Sequence, residues 1–408
     1  MEACANAGWR ALAPAEQLPV AEALGRVTAA PVSARWPSPR FRCAAMDGIA
    51  ILASAHEVRE GTRVAGEPVR AASGSFAWVD TGDPMPAGLD TVVRRERVTL
   101  AADGSAQFTG PAPRGLHVRA AGEDFQAGQP LMPAGHRLRP ADLAAAAAAG
   151  HVTLDVARTP VAAIIPTGNE IRPIGAPLRS GEITDSNSLM LAARATETGA
   201  SPVVADVQPD DPAVLAAAVR RAAATADLVL VIAGSSAGRS DHTAAVLAQA
   251  GGLAVRGVAV RPGHPVLLGH AGRREVQGQG RAQDSPIVPV IGVPGYPLAA
   301  AVIFELFAVP LIAAMLGGRP PDPGWRRAQL ACDWVSAPET EEWVTVSLTA
   351  APGGPADSRA VLATPSGRGA GAIGRLVRAD AWWPIPVGQA KFARGAFIDV
   401  RPVPGAPR

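Results

Sequence analysis

The sequence predicts a multidomain chain of α/β plus β class. A central doubly wound α/β domain follows a composite N-terminal helical domain with a β-rich insert, and a small β-rich domain ends the chain. Three observations carry this. Between residues 161 and 297 apolar β-branched runs alternate with helical stretches, the pattern of parallel strands with crossover helices. Residues 31–120 show short β-like segments between Gly/Pro turns. Residues 325–408 alternate apolar and polar positions with period two, as half-buried strands do.

Taken in order, residues 1–30 read as helical, with Pro14-Ala15-Glu16 opening a run that ends near Gly25. In the insert, 31–120, strands are expected at 48–52, 61–64, 77–81 and 91–98. Residues 121–155 combine turns with an alanine run at 144–149, a helix that returns to the first segment. Such a return would place segments 1–30 and 121–155 in one composite domain. In the α/β domain, 156–316, strands are expected at 161–165, 202–206, 228–233 and 288–292, with helices at 189–198, 212–224 and 242–250. The apolar stretch 298–316 approaches the ~20 residues of a membrane helix, but it contains Glu305 and Pro310 and follows a strand and a Pro-Gly turn. A helix buried on all sides is apolar all round, and that is the expectation here. Residues 317–324 form a Gly/Pro/Asp-rich linker, and 325–408 reads as a small barrel or sandwich. The Arg-, Gln- and Gly-rich stretch 272–285 is expected to be an exposed extension.

The net charge is +2, with 38 basic and 36 acidic residues, which argues against nucleic-acid or membrane partners. Lys391 is the sole lysine. Three cysteines (Cys4, Cys43, Cys332) stand far apart with no CxxC spacing, a usage that fits a reducing, cytoplasmic location. The first 25 residues carry Glu2, Glu16 and Glu22 and no unbroken apolar core, so no signal peptide is expected.

Six polar loops punctuate the α/β region: Thr167-Gly168-Asn169-Glu170, Thr184-Asp185-Ser186-Asn187, Pro209-Asp210-Asp211-Pro212, Gly234-Ser235-Ser236-Ala237-Gly238-Arg239-Ser240-Asp241, Arg261-Pro262-Gly263-His264-Pro265 and Pro294-Gly295-Tyr296-Pro297. Loops at the carboxyl ends of parallel strands bind ligands in open α/β sheets. Carboxylates, small donors and cations together suit a metal–oxyanion or nucleotide-phosphate site. Asp211 before Pro212 reads first as a helix cap, which leaves Asp210 available for chemistry. Asp241 reads equally as a cap of the following helix or as a ligand. The glycines at 234 and 238 match neither a Walker loop nor a dinucleotide fingerprint. In Arg261–Pro265 two prolines stiffen a cationic corner; a plain turn with a solvated arginine is the alternative. Asp47 in the insert reads by itself as a turn residue.

The order of these motifs is more specific than any one of them. Ala45-Met46-Asp47-Gly48, then Thr81-Gly82-Asp83-Pro84-Met85-Pro86-Ala87-Gly88, then Arg119-Ala120-Ala121-Gly122-Glu123-Asp124, then the six loops, resemble the molybdopterin molybdenumtransferase family, to which the E-domain of gephyrin also belongs. The resemblance spans about residues 15–400. It implies a composite N-terminal domain, a central molybdopterin-binding α/β domain, a C-terminal β-barrel, and a homodimer whose cleft joins the α/β domain of one subunit to the insert of the other. It implies Mg²⁺-assisted cleavage of adenylylated molybdopterin, release of AMP and insertion of molybdate. The catalytic positions then fall on Asp47, Thr81, Glu170, Asp210 and Asp241, with Glu170 and Asp241 as metal ligands. The substrate contacts fall on Asp185, Ser186, Asn187, Gly234, Ser235, Ser236, Gly238, Arg261, His264, Pro265, Pro294, Gly295, Tyr296 and Pro297.

The chain departs from the family pattern mainly at positions expected to face the oxyanion. Arg261 and His264 stand where the family has lysines, Tyr296 and Ala299 where it has Asn and Ser, and Ala370 where it has Ser. Ala233 replaces a glycine, and Asn169 replaces an acid. Either a different donor set still serves molybdate, or the chain is a non-catalytic molybdopterin- or nucleotide-binding homologue with a regulatory or scaffold role. Retained acids at separated positions favour the enzyme.

Overall fold

The computed structural model describes residues 6, 9, 14–56, 68–233, 237–273, 286–320, 322–350 and 361–405, except for the side chains of 237–242. Two compact units result, one of residues 1–16 and 156–408 and one of residues 17–155.

In the larger unit, apolar β-branched runs form a six-stranded sheet. Its strand order is Ser201–Val204, Val161–Pro166, Leu228–Ala233, Ile287–Pro294, Leu267–Gly272, Gly251–Arg256. The first four run parallel. The last two form an antiparallel extension that periodicity did not separate from its surroundings. On one face Ala163, Ile165, Val229, Val231 and Val290 pack with Leu215, Val219 and Leu247 from the helices Pro212–Thr225 and Ala237–Ala250. The other face carries the helices Asn187–Thr198 and Pro297–Ile303. The chain leaves Val161–Pro166 in one direction for Ser201–Val204, then crosses to Leu228–Ala233 on the other side. That reversal is a topological switch point, and ligands in such sheets bind beside it at the carboxyl ends of the strands.

The apolar stretch near the end of this sheet forms two helices, Pro297–Ile303 and Val309–Met315, joined by a π-turn at Phe304–Ala308. By length and composition it could cross a membrane, yet 72% of it is buried within the fold. Glu305, 6% exposed, lies in the π-turn and bonds Arg194 Nε at 2.6 Å; Arg401 also donates to it. Burial pushes the Arg401 guanidinium pKa down, and Glu305 opposes that. The triad therefore fixes this helix to the Asn187–Thr198 helix and to the last strand, Phe397–Pro402.

The C-terminal strands close into a barrel. Glu341–Ala350 pairs with Val361–Pro365, which pairs with Arg326–Leu330, then Phe397–Pro402, then Ala381–Ile385, which returns to Glu341–Ala350. Val344, Val346, Ala363, Trp383, Ile385 and Val400 fill it. The short strand Val260–Arg261 adds to its outside, beside Glu341 and Glu342.

In the smaller unit, Gly48–Ile51 lies between Ala77–Val79 and Thr91–Arg94, and Ala106–Phe108 lies between Val69–Ala71 and Val98–Leu100. Ile49, Ile51, Val93 and Phe108 make its core. Backbone bonds from Val20 to Val152 and from Gly25 to Leu138 join its two ends. The helix Pro140–Ala148 has Asp142 bonded to Arg139 and His136. These partners, Arg139 foremost, hold the Asp142 carboxyl well below its ordinary range.

Two expectations need correction. Residues 15–19 form a strand, Ala15–Pro19, followed by a 3₁₀ turn, Val20–Glu22, not a helix; Pro14 and Pro19 bracket a segment too short to propagate one. The helix expected from 242 begins at Ala237, which puts Asp241 inside it and removes the cap reading. The strand expected at 61–64 lies outside the described residues, as does the stretch 272–285 from 274 onward.

Glu305→Gln would remove a buried carboxylate that pairs with two half-buried arginines, of which Arg194 keeps only the exposed Glu197. Losing one partner of a buried ion pair costs about 3–5 kcal/mol, so the denaturation midpoint should fall markedly; an unchanged midpoint would contradict the fastening role of the triad.

Candidate functional site

A cleft of about 580 Å³ opens at the switch point, lined by Thr167, Glu170, Asp185, Ser186, Asn187, Ala233, Gly295, Tyr296, Pro297 and Gly371. Each wall is the end of a core element. Thr167 follows the first parallel strand and donates through its hydroxyl to the Ile232 carbonyl at 3.0 Å, tying adjacent strand ends together. Gly168 has φ +141°, and a Cβ there would approach the Glu170 carboxylate at 3.1 Å and Ile171 at 2.7 Å. A glycine is required for both reasons. Asp185 Oδ1 accepts from Ser188 N at 3.0 Å, capping the Asn187–Thr198 helix. Asn187, 8% exposed, donates to the Gly295 carbonyl at 2.7 Å, while its Oδ1 is buried without a hydrogen-bond partner. A buried acceptor left unpaired costs free energy, so a cleft wall carrying one is suited to a ligand donor or cation.

A second cavity, about 600 Å³, lies against the outside of the barrel. It is lined by Arg261, Pro262, Leu298, Thr340, Glu342, Thr345, Arg368, Gly369 and Ala370, among others. The hydroxyls of Thr340 and Thr345 are buried without hydrogen-bond partners. Arg368 bonds Glu342 at 2.8 Å and stacks over Trp334 at 4.7 Å. Burial alone would raise the Glu342 pKa, but Arg368 and Ser336 outweigh it and hold the carboxyl down. The segment Gly369-Ala370-Gly371 separates the two spaces. Ala370 accepts from Leu298 N at 3.0 Å, and a Cβ on Gly371 would meet the Tyr296 ring at 3.3 Å.

In the smaller unit, Asp47 Oδ1 accepts from both the amide and the hydroxyl of Thr81, each at 2.7 Å. The Thr81 hydroxyl, then its amide, hold the Asp47 carboxyl below its ordinary value of 3.8, against a smaller desolvation effect; Arg95 adds to the lowering.

The structure thus brings Glu170, Asp185, Ser186, Asn187, Gly295, Tyr296 and Pro297 into one cleft, and Asp47 and Thr81 into contact. Asp211 accepts from Ala213 N and Val214 N and is a helix cap, as expected. Asp210 sits one residue before it, its amide on Asn169 Oδ1 at 3.3 Å. Arg261 faces the second cavity, because its short strand belongs to the barrel edge. His264 and Pro265 line neither space; the His264 ring donates from Nδ1 to the Val258 carbonyl at 2.6 Å. Gly234, Ser235 and Ser236 lie outside the described residues, as do the side chains at Gly238 and Asp241. Sequence reasoning missed Thr340, Thr345 and Arg368. For Thr345 a signal existed: along Glu341–Ala350 it shares the outer face with Trp343, while Val344 and Val346 fill the barrel.

Comparison with known proteins agrees along the whole chain. Residues 2–150 match a family profile described as MoeA N-terminal region (domain I and II). Residues 163–314 match a probable molybdopterin binding domain, and 327–403 match a MoeA C-terminal region (domain IV). A protein from Synechococcus elongatus named molybdopterin molybdenumtransferase is 32% identical over 413 residues, covering 95% of this chain and 94% of the relative. The chain belongs to the molybdopterin molybdenumtransferase family. Another member, from Nostoc sp., is 33% identical over 308 residues, covering 72% of this chain and 67% of its own. A solved molybdopterin biosynthesis MoeA protein from Pyrococcus horikosii superposes with a TM-score of 0.78 at 28% identity, over 97% of this chain and 95% of that one. The molybdopterin molybdenumtransferase architecture of several domains around an α/β centre is therefore this chain's own.

Asp47 supplies a pH test. A depressed carboxyl contributes stability above its unfolded pKa, and that contribution is lost as pH falls through its folded value. Thr81→Val should raise the Asp47 titration midpoint toward 3.8, seen by carboxyl ¹³C NMR, and should alter stability only above about pH 3–4. An unmoved midpoint would contradict the role given to the Thr81 hydroxyl.

Proposed function

We propose that this chain is a molybdopterin molybdenumtransferase. It cleaves the phosphoanhydride of adenylylated molybdopterin, releases AMP and transfers molybdenum from molybdate to the freed dithiolene. The observation that carries this reading is the adjacency of two chemically different spaces. The strand-end cleft has oxygen donors from Glu170, Asp185, Ser186 and Asn187. The barrel-side cavity has two arginines and two partnerless threonine hydroxyls. A single wall, Gly369-Ala370-Gly371, divides them. In this reading the pterin nucleotide occupies the first and the oxyanion the second. Arg261 stands where the family pattern expects a lysine, and the threonine hydroxyls add donors beside it.

The all-oxygen donor set of the cleft fits Mg²⁺, which takes one or two carboxylates and completes its shell with water and phosphate oxygens. Among the described residues no group of three or more His, Cys, Asp or Glu forms a cage, and Mg²⁺ commonly completes its shell with water and substrate phosphates. Glu170 would hold the ion, with Asp241 as a second carboxylate. Bound there, Mg²⁺ supplies charge neutralisation on the phosphates. The protein's own part is to orient the nucleotide through Ser186, Asn187 and Gly295. A water oxygen forms a new bond to the α-phosphorus and gives up a proton to solvent as the bridging oxygen leaves with its electron pair on the pterin phosphate, which yields AMP.

Asp47 and Thr81 belong to the other unit, and we infer that they complete the site from a second copy of the chain. Charge supports a homodimer of this kind. The cleft carries Glu170 and Asp185, whereas Arg95 acts on Asp47 and Arg94 pairs with the neighbouring Gly48. The four-part division at 30, 120, 155 and 316 belongs to the same reading, as does a cytoplasmic location, which rests on three widely spaced cysteines.

Purified protein given Mg²⁺, molybdate and adenylylated molybdopterin should release AMP and yield active cofactor. Glu170→Gln should lower turnover by about 10²-fold or more, the usual scale for losing a charge-stabilising group. Tight nucleotide binding with no molybdate-dependent AMP release would overturn the enzyme reading in favour of a binding homologue.

A further inference from the structure

Among the described residues, His117 is the one non-glycine residue with positive φ, +55°. Such a backbone is uncommon, though histidine tolerates it better than most residues. It persists where surrounding contacts over-determine it. Here the contacts converge on the Asp47 loop. The His117 carbonyl accepts from Ala45 N at 2.8 Å, and Val118 pairs with Ala44. The His117 ring, through Nε2, accepts from Arg94 Nε at 3.3 Å. Arg94 pairs with Gly48 across the sheet, and Arg95 N donates to the Asp47 carbonyl at 2.9 Å. Gly82 N, next to Thr81, donates to Ala44 O at 2.8 Å. At the far end, a Cβ on Gly48 would meet the Val93 oxygen at 1.9 Å, so the strand there has no slack.

We propose that His117 is a positioning residue, a clasp that joins the Ala45 end of the Asp47 loop to its Gly48 end through Arg94 and so fixes the Asp47 carboxylate against Thr81. The inference rests on the part given to Asp47 above. Nε2 accepts only when the ring is neutral. Burial, then the charges of Arg94 and Arg97, push the imidazole pKa down and favour that form. His117 need not touch substrate; it acts through the geometry of Asp47.

The test uses the full-length protein and the AMP-release assay. His117→Gly keeps the backbone conformation and removes the ring. It should lower kcat about tenfold, since small misplacement of a catalytic group is costly, while KM stays within about twofold and the thermal midpoint changes little. Arg94→Ala should behave alike, and the double variant should lose no more than either single one, because both break one contact. Independently of turnover, the Asp47 carboxyl should titrate higher in His117→Gly than in the parent. Wild-type kcat in His117→Gly, multiplicative losses in the double variant, or an unmoved Asp47 titration would overturn the clasp. Asp47→Asn in the same assay separates the two ideas. If it is inactive and His117→Gly is normal, the clasp alone fails. If Asp47→Asn turns over normally, the assignment of Asp47 fails and the clasp falls with it.

Discussion

The helix that starts at Pro297 is pinned at two points, and the arrangement of the larger unit depends on both. At its first turn, Pro297 removes one unpaired amide and Leu298 N gives the next to the Ala370 carbonyl. Four amides at a helix start lack internal partners; here the barrel supplies one acceptor. In the π-turn near the middle of the stretch, Glu305 takes Arg194 and Arg401, groups that come from a helix of the α/β layer and a strand of the barrel. An apolar helix with no charge in it could slide on its neighbours. This one is held in register by an ion triad too costly to break.

That register decides where chemistry can occur. Seating Ala370 on Leu298 brings Gly371 against Tyr296 and sets Gly369 and Ala370 on the opposite side of the same wall. The strand-end cleft and the cationic cavity are thus neighbours because a helix start and a barrel loop share one hydrogen bond. Positions expected from the sequence to depart from the family pattern fall on both sides of this wall. Tyr296 lines the cleft, whereas Arg261 and Ala370 line the cavity. Ala299, buried at 3% exposure, packs inside the helix that carries the wall.

Local rules made much of this legible. Asp211 before a proline, and acids at strand ends, are short-range signals that the fold simply realises. Motif order put Asp47 and Thr81 in one site, but their contact came only from the structure, since nothing in either turn points to a partner 34 residues away. Other features depend on pairings no window can see. Glu305 finds partners 111 and 96 residues distant. Arg261 was grouped with the strand-end loops because it lies among them in sequence, but its short strand pairs with Glu341–Ala350 and carries it to the barrel. His117 carries no sequence signal for its role, because a positive φ leaves no mark when the residue is not glycine. Residues 15–19 looked helical by composition, and sheet pairing overrode that propensity, as tertiary context commonly does.

The central claim is that Glu170 from one copy and Asp47 from another serve the same reaction. The most direct test mixes two inactive variants, Asp47→Asn and Glu170→Gln, under conditions that exchange subunits, and measures AMP release. In a mixed dimer one site holds both substitutions and the other holds neither. Recovery to about a quarter of the parental rate is the prediction, because about half the dimers are mixed and one of their two sites is intact. A mixture as inactive as its components, with subunit exchange verified, would contradict a site shared between copies.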